Sequence, residues 1–118
     1  MTCLLVGATA LALAGGDFQL AWTHSVERIE WREEWRIEGG ALHLTRAAVR
    51  GSGAGMEPGA GAVLRDGWWV WTPDLPPQPQ VTLAASGATG RGWQLCDARG
   101  CTEFGADAGQ PVTLAPCP

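Results

Sequence analysis

The chain has 118 residues, and its 12 acidic and eight basic residues give it a net charge of −4. This acidic balance argues against binding to the phosphate backbone of nucleic acids, and the length suits one domain with a modest core. Seventeen glycines, eight prolines and short apolar runs favour a protein of short strands and many turns over a helical one.

The first apolar stretch, residues 3–16, alternates leucine with alanine and predicts a pair of strands broken at Gly7. It lacks the positively charged start of a secretory signal and is too short to span a bilayer, which leaves a degenerate signal or anchor as the alternative. We therefore expect no transmembrane helix. A periplasmic or membrane-associated location is favoured, with the cytoplasm as the alternative.

Two neighbouring segments alternate as half-buried strands do. Residues 18–24 carry apolar side chains and then a histidine at even positions. Residues 29–37 carry apolar side chains at odd positions and charged side chains at even positions, with Glu33 as the one charge on the apolar face. Together they predict a hairpin that turns near residues 26–28.

The rest of the chain predicts further short strands separated by turns and loops. A strand at 41–49 precedes a glycine-rich loop at 51–62, and a turn at Asp66–Gly67 separates the next two strands. A proline-rich connector at 72–80 follows, and later strands close the sheet, with an edge strand in the last eight residues. We expect an all-β chain, a single small β-sandwich or flattened β-barrel of about 8–10 short, mostly antiparallel strands.

Four cysteines permit two disulfides without requiring them. Cys96 and Cys101 flank a polar stretch with a glycine and can face each other across a hairpin, while Cys3 and Cys117 can join the ends of the chain. The spacing is not that of a zinc ribbon. Disulfides or buried thiols are favoured over a metal site.

His24 and Glu33 form the first candidate site. A trial register of the hairpin sets Trp22 opposite Glu33 and His24 opposite Trp31, so that the histidine and the glutamate are diagonal neighbours. A shift of two residues would set them directly opposite. A carboxylate on an apolar face needs a partner, because leaving it charged and alone costs several kcal/mol. We predict that Glu33 fixes the imidazole of His24 and favours its charged form.

The glycine-rich loop supplies the other candidate binding residues, which are Ser52, Gly53, Gly55, Met56 and Glu57. Its glycines allow positive φ and close backbone approach, which suits a cap over a small site, whereas a mobile connector is the alternative. The loop does not match a P-loop, because no Gly-Lys-Ser/Thr follows its glycines.

The predicted site binds a small anion or a protein loop. A structural pair that only fixes the hairpin register is the alternative to a binding role for His24 and Glu33. Ser52, His24 and Glu33 also have the residue types of a hydrolytic triad, but the chain has no G-x-S-x-G turn. We therefore assign no catalytic residue, and we expect no metal and no cofactor.

Seven tryptophans without any tyrosine form an unusual aromatic set. Most of these rings are expected in the core, although a pair such as Trp68 and Trp93 could line a pocket or partner surface. The alternating glutamate and arginine face of residues 30–38 is predicted to be solvated, with a docking strip as the alternative.

Several of these segments resemble one known family. "FQLAWTHSVERIEWREEWRIEGGALHLT" at 18–45, "GSGAGMEP" at 51–58, "DGWWVW" at 66–71 and "SGATGRGWQLC" at 86–96 closely resemble the bacterial domain-of-unknown-function family 1850. Its most specific parts here are the Thr-His-Ser motif at 23–25 and the Gly-Ala-Gly-Met motif at 53–56. The resemblance extends from about Cys3 to Cys101.

The resemblance implies a small β protein of the kind often encoded beside TRAP transporters of the TAXI type, which take up solutes with an extracytoplasmic binding protein. Some relatives carry a membrane anchor before the first strand. The family has no established activity, so the resemblance implies no catalytic residues.

The residues and the resemblance together predict a non-enzymatic accessory or ligand- or partner-binding domain associated with TRAP-type solute uptake. The expected partners are TAXI-type TRAP transporter components or a small anionic ligand. The alternatives are a hydrolase-like enzyme that uses His24 as its base and a purely structural subunit.

Overall fold

The computed structural model describes residues 2–23, 30–50, 58–84, 92–105 and 109–118. Within these ranges no helix is long and apolar enough to cross a membrane. The described residues form eleven strands, more than the sequence predicts: β1 (Thr2–Val6), β2 (Thr9–Leu13), β3 (Asp17–Thr23), β4 (Glu30–Glu38), β5 (Ala41–Arg50), β6 (Val63–Arg65), β7 (Trp68–Trp71), β8 (Val81–Leu83), β9 (Trp93–Asp97), β10 (Gly100–Phe104) and β11 (Val112–Pro116).

The strands form two antiparallel sheets. One sheet has four strands in the order β2, β1, β11, β8, and the other has seven in the order β10, β9, β3, β4, β5, β7, β6. Apolar side chains of the two sheets pack into a common core. The predicted all-β sandwich is therefore confirmed, and the flattened-barrel alternative is wrong because each sheet keeps two edge strands.

Tight turns with positive φ connect several neighbouring strands. Gly7 has a φ of 61° between β1 and β2, and Gly39 and Gly40 have φ values of 61° and 74° between β4 and β5. Asp66 and Gly67 connect β6 to β7 with φ values of 52° and 86°. Two consecutive residues with positive φ match the right-handed twist of a hairpin, and glycine adopts that conformation without a Cβ clash.

The register between β3 and β4 differs from the trial register by two residues. Phe18 pairs with Trp35, Leu20 with Glu33 and Trp22 with Trp31. The shift is opposite in direction to the one that would set His24 opposite Glu33. A two-residue shift keeps every side chain on its original face, so the apolar pattern does not distinguish the two registers.

A β-bulge in β5 changes which residues face the core. Glu34 pairs with Arg46 and Trp35 with Leu44, so Thr45 is the extra residue. The Thr45 hydroxyl donates to the Glu34 carbonyl at 3.0 Å. Before the bulge the even-numbered leucines face inward, whereas after it Ala47 and Val49 do, and both are buried.

The main core lies between the two sheets and consists largely of leucine. The four-stranded sheet contributes Leu4, Leu13, Leu83 and Leu114, and the seven-stranded sheet contributes Phe18, Leu20, Trp35, Leu42 and Leu95. Each fully buried leucine stabilises the fold by roughly 1.5–3 kcal/mol relative to leaving it exposed. The inward positions recur at every second residue along each strand, as the sequence pattern requires.

The last strand is not the edge strand that the sequence analysis expects. β11 lies inside the four-stranded sheet, between β1 and β8, where Leu4 pairs with Pro116 and Val112 with Leu83. Leu114 at its centre is 1% exposed. Pro116 is the last residue of β11, where a missing N–H disturbs the sheet least.

Two disulfides connect segments that the strands already bring together. Cys96 and Cys101 face each other across the β9–β10 hairpin, and Cys3 is joined to Cys117 across a separation of 114 residues. The Cys117 N–H also donates to the Cys3 carbonyl at 3.2 Å. The second disulfide therefore joins the first strand to the residue that follows the last.

Asp97 connects the two sheets through hydrogen bonds. Its carboxylate accepts the Ala14 N–H at 2.8 Å and the Arg99 N–H at 2.9 Å. These two N–H groups, that of Ala14 first, lower the pKa of the Asp97 carboxyl below its ordinary value of 3.8. Asp97 thus fixes the end of β2 against the turn between β9 and β10.

Removing the disulfide between Cys3 and Cys117 should destabilise the protein more than removing the one between Cys96 and Cys101. In the loop-entropy account the long loop stabilises by about 4–5 kcal/mol and the short one by about 2 kcal/mol. Urea unfolding of a Cys3→Ala/Cys117→Ala variant and a Cys96→Ala/Cys101→Ala variant measures both effects. An equal or larger loss for the short loop would contradict the prediction.

Asp97→Asn should weaken the pH dependence of stability in acid. Because the folded pKa of Asp97 is lowered, its contribution is complete above its ordinary pKa and is lost as the pH falls through the lowered value. The melting temperature of wild type should therefore fall more between pH 7 and pH 3 than that of the variant. Parallel melting curves across this pH range would show that Asp97 does not supply the effect.

Candidate functional site

Five half-buried tryptophans gather on the inner face of the seven-stranded sheet, beside the leucine core. We call this cluster the tryptophan face, and its members are Trp22, Trp31, Trp69, Trp71 and Trp93. Val49 lies at its centre and is fully buried, with Trp22, Trp31, Trp69 and Trp71 packed around it. Within the described residues, the cluster around Val49 includes no side chain of the four-stranded sheet.

The rings of the tryptophan face hold one another in place. Trp22 and Trp93 are stacked, with ring centroids 5.3 Å apart and an interplanar angle of 15°. Trp31 and Trp71 meet edge to face, with centroids 5.5 Å apart and an angle of 79°. Both arrangements are favourable for aromatic rings. The Trp93 indole N–H also donates to the Ala84 carbonyl at 3.0 Å, which fixes that ring further.

Glu33 lies on the same inner face and binds two indole groups. One carboxylate oxygen accepts the N–H of Trp31 and the other accepts the N–H of Trp35, each at 3.0 Å. Across the neighbouring strands Glu33 is paired with Leu20 and Ala47, which are both buried. The partner that a carboxylate on an apolar face requires is therefore supplied by the tryptophans on either side of it.

Gly59 packs directly against the Trp71 indole. A Cβ added at this position would overlap the ring atoms of Trp71, so only glycine allows the backbone to approach so closely. The segment before β6 therefore supports one side of the tryptophan face.

Of the site residues predicted from sequence, Glu33 is the one that the structure describes. The other predicted members lie outside the described residues, and these are His24, Ser52, Gly53, Gly55, Met56 and Glu57. The contact between His24 and Glu33 and the triad alternative stay predictions for the same reason.

The strand ends that precede His24 and the glycine-rich loop are close together. Thr23 pairs with Glu30, and Glu30 pairs with Arg50, so the ends of β3 and β5 are two strands apart. Two strand spacings amount to about 10 Å. Thr23 and Arg50 therefore lie at the same end of the sheet, next to Trp22, Trp31 and Val49.

Trp68 and Trp93 do not form a common surface, and that suggestion from the sequence is wrong. Trp93 stacks on Trp22 at the inner face, whereas Trp68 contacts Arg32 on the opposite face of the same sheet. Adjacent residues of a strand point to opposite faces, so Trp68 and Trp69 necessarily separate. In the part of the chain that the structure describes, no three His, Cys, Asp or Glu side chains could hold a metal ion.

A family model with the description "Domain of unknown function (DUF1850)" matches residues 18–104. The chain belongs to the DUF1850 family. Comparison with curated proteins and with solved structures finds no match. The DUF1850 match begins later than the expected start near Cys3. It covers the seven-stranded sheet from Phe18 to Phe104, with the tryptophan face and Glu33, and excludes β1, β2 and β11.

Sequence reasoning missed the indole partners of Glu33, although the signal is present in this DUF1850 chain. Residues 31–35 read Trp-Arg-Glu-Glu-Trp, which puts Trp31, Glu33 and Trp35 on one face of a strand. Because an indole N–H is only a donor and a carboxylate accepts at both oxygens, the alternation by itself indicates this pairing.

Glu33→Gln should destabilise the DUF1850 protein by about 1–3 kcal/mol, because the amide oxygen can replace one acceptor while the amide NH2 faces the second indole N–H. Glu34→Gln is the matched control. Glu34 is adjacent but lies on the outer face in an exposed ion pair with Arg46 at 3.4 Å, and such pairs contribute at most about 1 kcal/mol. Urea unfolding with tryptophan emission as the signal measures both variants. Equal losses would contradict the assigned role of Glu33.

Proposed function

We propose that this DUF1850 protein is a non-enzymatic accessory domain that binds a protein component of a TRAP-type solute uptake system through its tryptophan face. The observation that carries the proposal is the set of half-buried, mutually fixed tryptophan rings at one end of the large sheet. Tryptophan is enriched among residues that dominate protein interfaces, because one rigid ring contributes a large contact area.

The edge strand β6 extends the proposed binding surface. Leu64 pairs with Trp69 across the strands and so lies on the inner face, and it is 54% exposed. An exposed leucine that continues a row of tryptophans forms a contiguous apolar patch, which is typical of interaction sites. This location supports contact with a partner along the open edge of the sheet.

The hydrogen bonds of Glu33 support a binding role over a catalytic one. Both carboxylate oxygens accept indole N–H groups, so the side chain positions Trp31 and Trp35. We include His24 and residues 51–57 in the proposed site, because the strand ends that lead into them lie beside the tryptophan face.

The proposed location is outside the cytoplasm. Two disulfides with no free cysteine among the described residues suit an oxidising compartment, where such bonds form and persist. That compartment is also where an uptake system with an extracytoplasmic binding protein meets its solute. The TRAP association itself rests on the resemblance to DUF1850 relatives encoded beside TAXI-type transporters.

The test is binding of the purified, oxidised protein to the purified solute-binding component of a TAXI-type TRAP system, measured by biolayer interferometry. Leu64→Asp should weaken binding by about tenfold or more, because it places an unpaired charge in the apolar contact. Val63→Asp is the matched control, since Val63 is adjacent on β6, is 53% exposed and lies on the opposite face, paired with Val70.

Both aspartate variants add one negative charge to β6 at positions of nearly equal exposure. The two altered side chains lie on opposite faces of the sheet. A similar loss of binding in both would contradict contact through the tryptophan face. Absence of binding by the wild-type protein to any component of the uptake system would overturn the TRAP assignment.

His24→Ala adds a second measurement. We expect it to weaken binding as well, without lowering the melting temperature to the extent that Glu33→Gln does.

A further inference from the structure

Two arginines contact Trp68 on the outer face of the seven-stranded sheet, and a third is opposite it on the neighbouring strand. The guanidinium carbon of Arg32 lies 4.3 Å from the centroid of the Trp68 ring, and that of Arg50 lies 5.9 Å from it. Arg65 is paired with Trp68 across β6 and β7. We call Arg32, Arg50, Arg65 and Trp68 the arginine cluster.

Among the residues that the structure describes, the arginine cluster has no carboxylate partner. In the described part of the chain, Arg36 pairs with Asp17 at 3.0 Å and Arg46 with Glu34 at 3.4 Å, but no carboxylate oxygen lies within 4 Å of the three clustered guanidinium groups. Even Glu30, directly opposite Arg50 in the β4–β5 register, forms no ion pair with it.

This absence of ion pairs is notable because the chain is acidic, with 12 acidic against eight basic residues. The two guanidinium groups at one ring repel each other, and a bound counter-charge would relieve that repulsion. The Trp68 ring offsets part of the repulsion through cation–π attraction.

An open groove of about 270 Å³ lies beside the cluster. It is lined by Arg32, Arg46, Arg65 and Trp68, together with Glu34 and Asp66, and Arg50 is not part of its lining. The ion pair with Arg46 offsets the charge of Glu34, and with Asp66 included the lining still has three arginines against two carboxylates. Small side chains form part of the floor, and one of them is Ala48, the residue across from Arg32 on β5.

Stacking on Trp68 leaves the arginines able to bind an anion. A guanidinium that lies flat on a ring keeps the N–H donors at its edge free for a ligand. These donors match the paired oxygens of a carboxylate or a phosphate, with two parallel hydrogen bonds per group. The ring meanwhile offers an apolar wall to the carbon skeleton of a ligand.

We propose that the arginine cluster is a binding site for a small anion with at least two carboxylate or phosphate groups. The site lies on the face of the sheet opposite the tryptophan face and goes beyond the proposed partner binding. Arg32 and Arg50 bind the anionic groups, Trp68 holds both guanidinium groups in place, and Arg65 adds positive charge at the sheet edge.

The test is isothermal titration of the full, oxidised protein with citrate and with pyrophosphate at constant ionic strength in sodium chloride. We expect saturable binding of at least one probe, and its identity assigns the site to carboxylates or to phosphates. In Arg32→Gln/Arg50→Gln the affinity should fall by about tenfold or more, because charge-assisted hydrogen bonds are lost. Arg32→Lys/Arg50→Lys keeps the charge and should recover only part of the affinity, since lysine lacks the planar donor pair.

Arg36→Gln/Arg99→Gln is the control for net charge, because it removes two positive charges elsewhere and should leave the affinity within about twofold. Circular dichroism and melting temperature verify that each variant is folded. The inference is overturned if neither probe binds saturably or if the control loses as much affinity as the cluster variant. Leu64→Asp should leave anion binding intact. Loss of anion binding is therefore distinguishable from loss of partner binding through the tryptophan face.

Discussion

The structure depends on burying one face of a seven-stranded sheet against a four-stranded sheet that supplies core leucines to only part of it. Tryptophan suits the remaining area, because its large ring tolerates partial exposure while its N–H takes a polar partner. Those N–H groups need acceptors, and they find them in the Glu33 carboxylate and the Ala84 carbonyl. A carboxylate on an apolar face is thus a consequence of the tryptophans beside it.

The sequence predicts the strands better than their alignment. Alternation identifies β3 and β4 and the face that each buries, since that pattern is local. The register is set by contacts across strands, and a shift of two residues satisfies the same alternation, which is why the trial register is wrong. The alternation does not reveal the bulge at Thr45 either, because each half of β5 alternates correctly on its own.

The candidate site is only partly visible in the sequence. Glu33 is recognisable as the one charged residue among the apolar positions of its strand. It lies on the inner face of the sheet, as the alternation predicts. The arginine cluster is invisible locally, because it requires the order β4, β5, β7, which joins Arg32 to Trp68 across 36 positions of chain. It also depends on the bulge, since without the change of phase at Thr45 Arg50 would face the core and not the ring of Trp68.

The covalent bond between Cys3 and Cys117 has a mechanical consequence. A force that pulls on the chain before Cys3 and after Cys117 passes through the disulfide and not through the residues between the two cysteines. The strand pairing between Cys3 and Cys117 is then shielded from the tension, and of the paired strand residues only Thr2, opposite Leu13, lies outside the bridge. A domain held in this way can be tethered at one end, or pulled between two attachments, while the surfaces on both faces of its large sheet keep their shape.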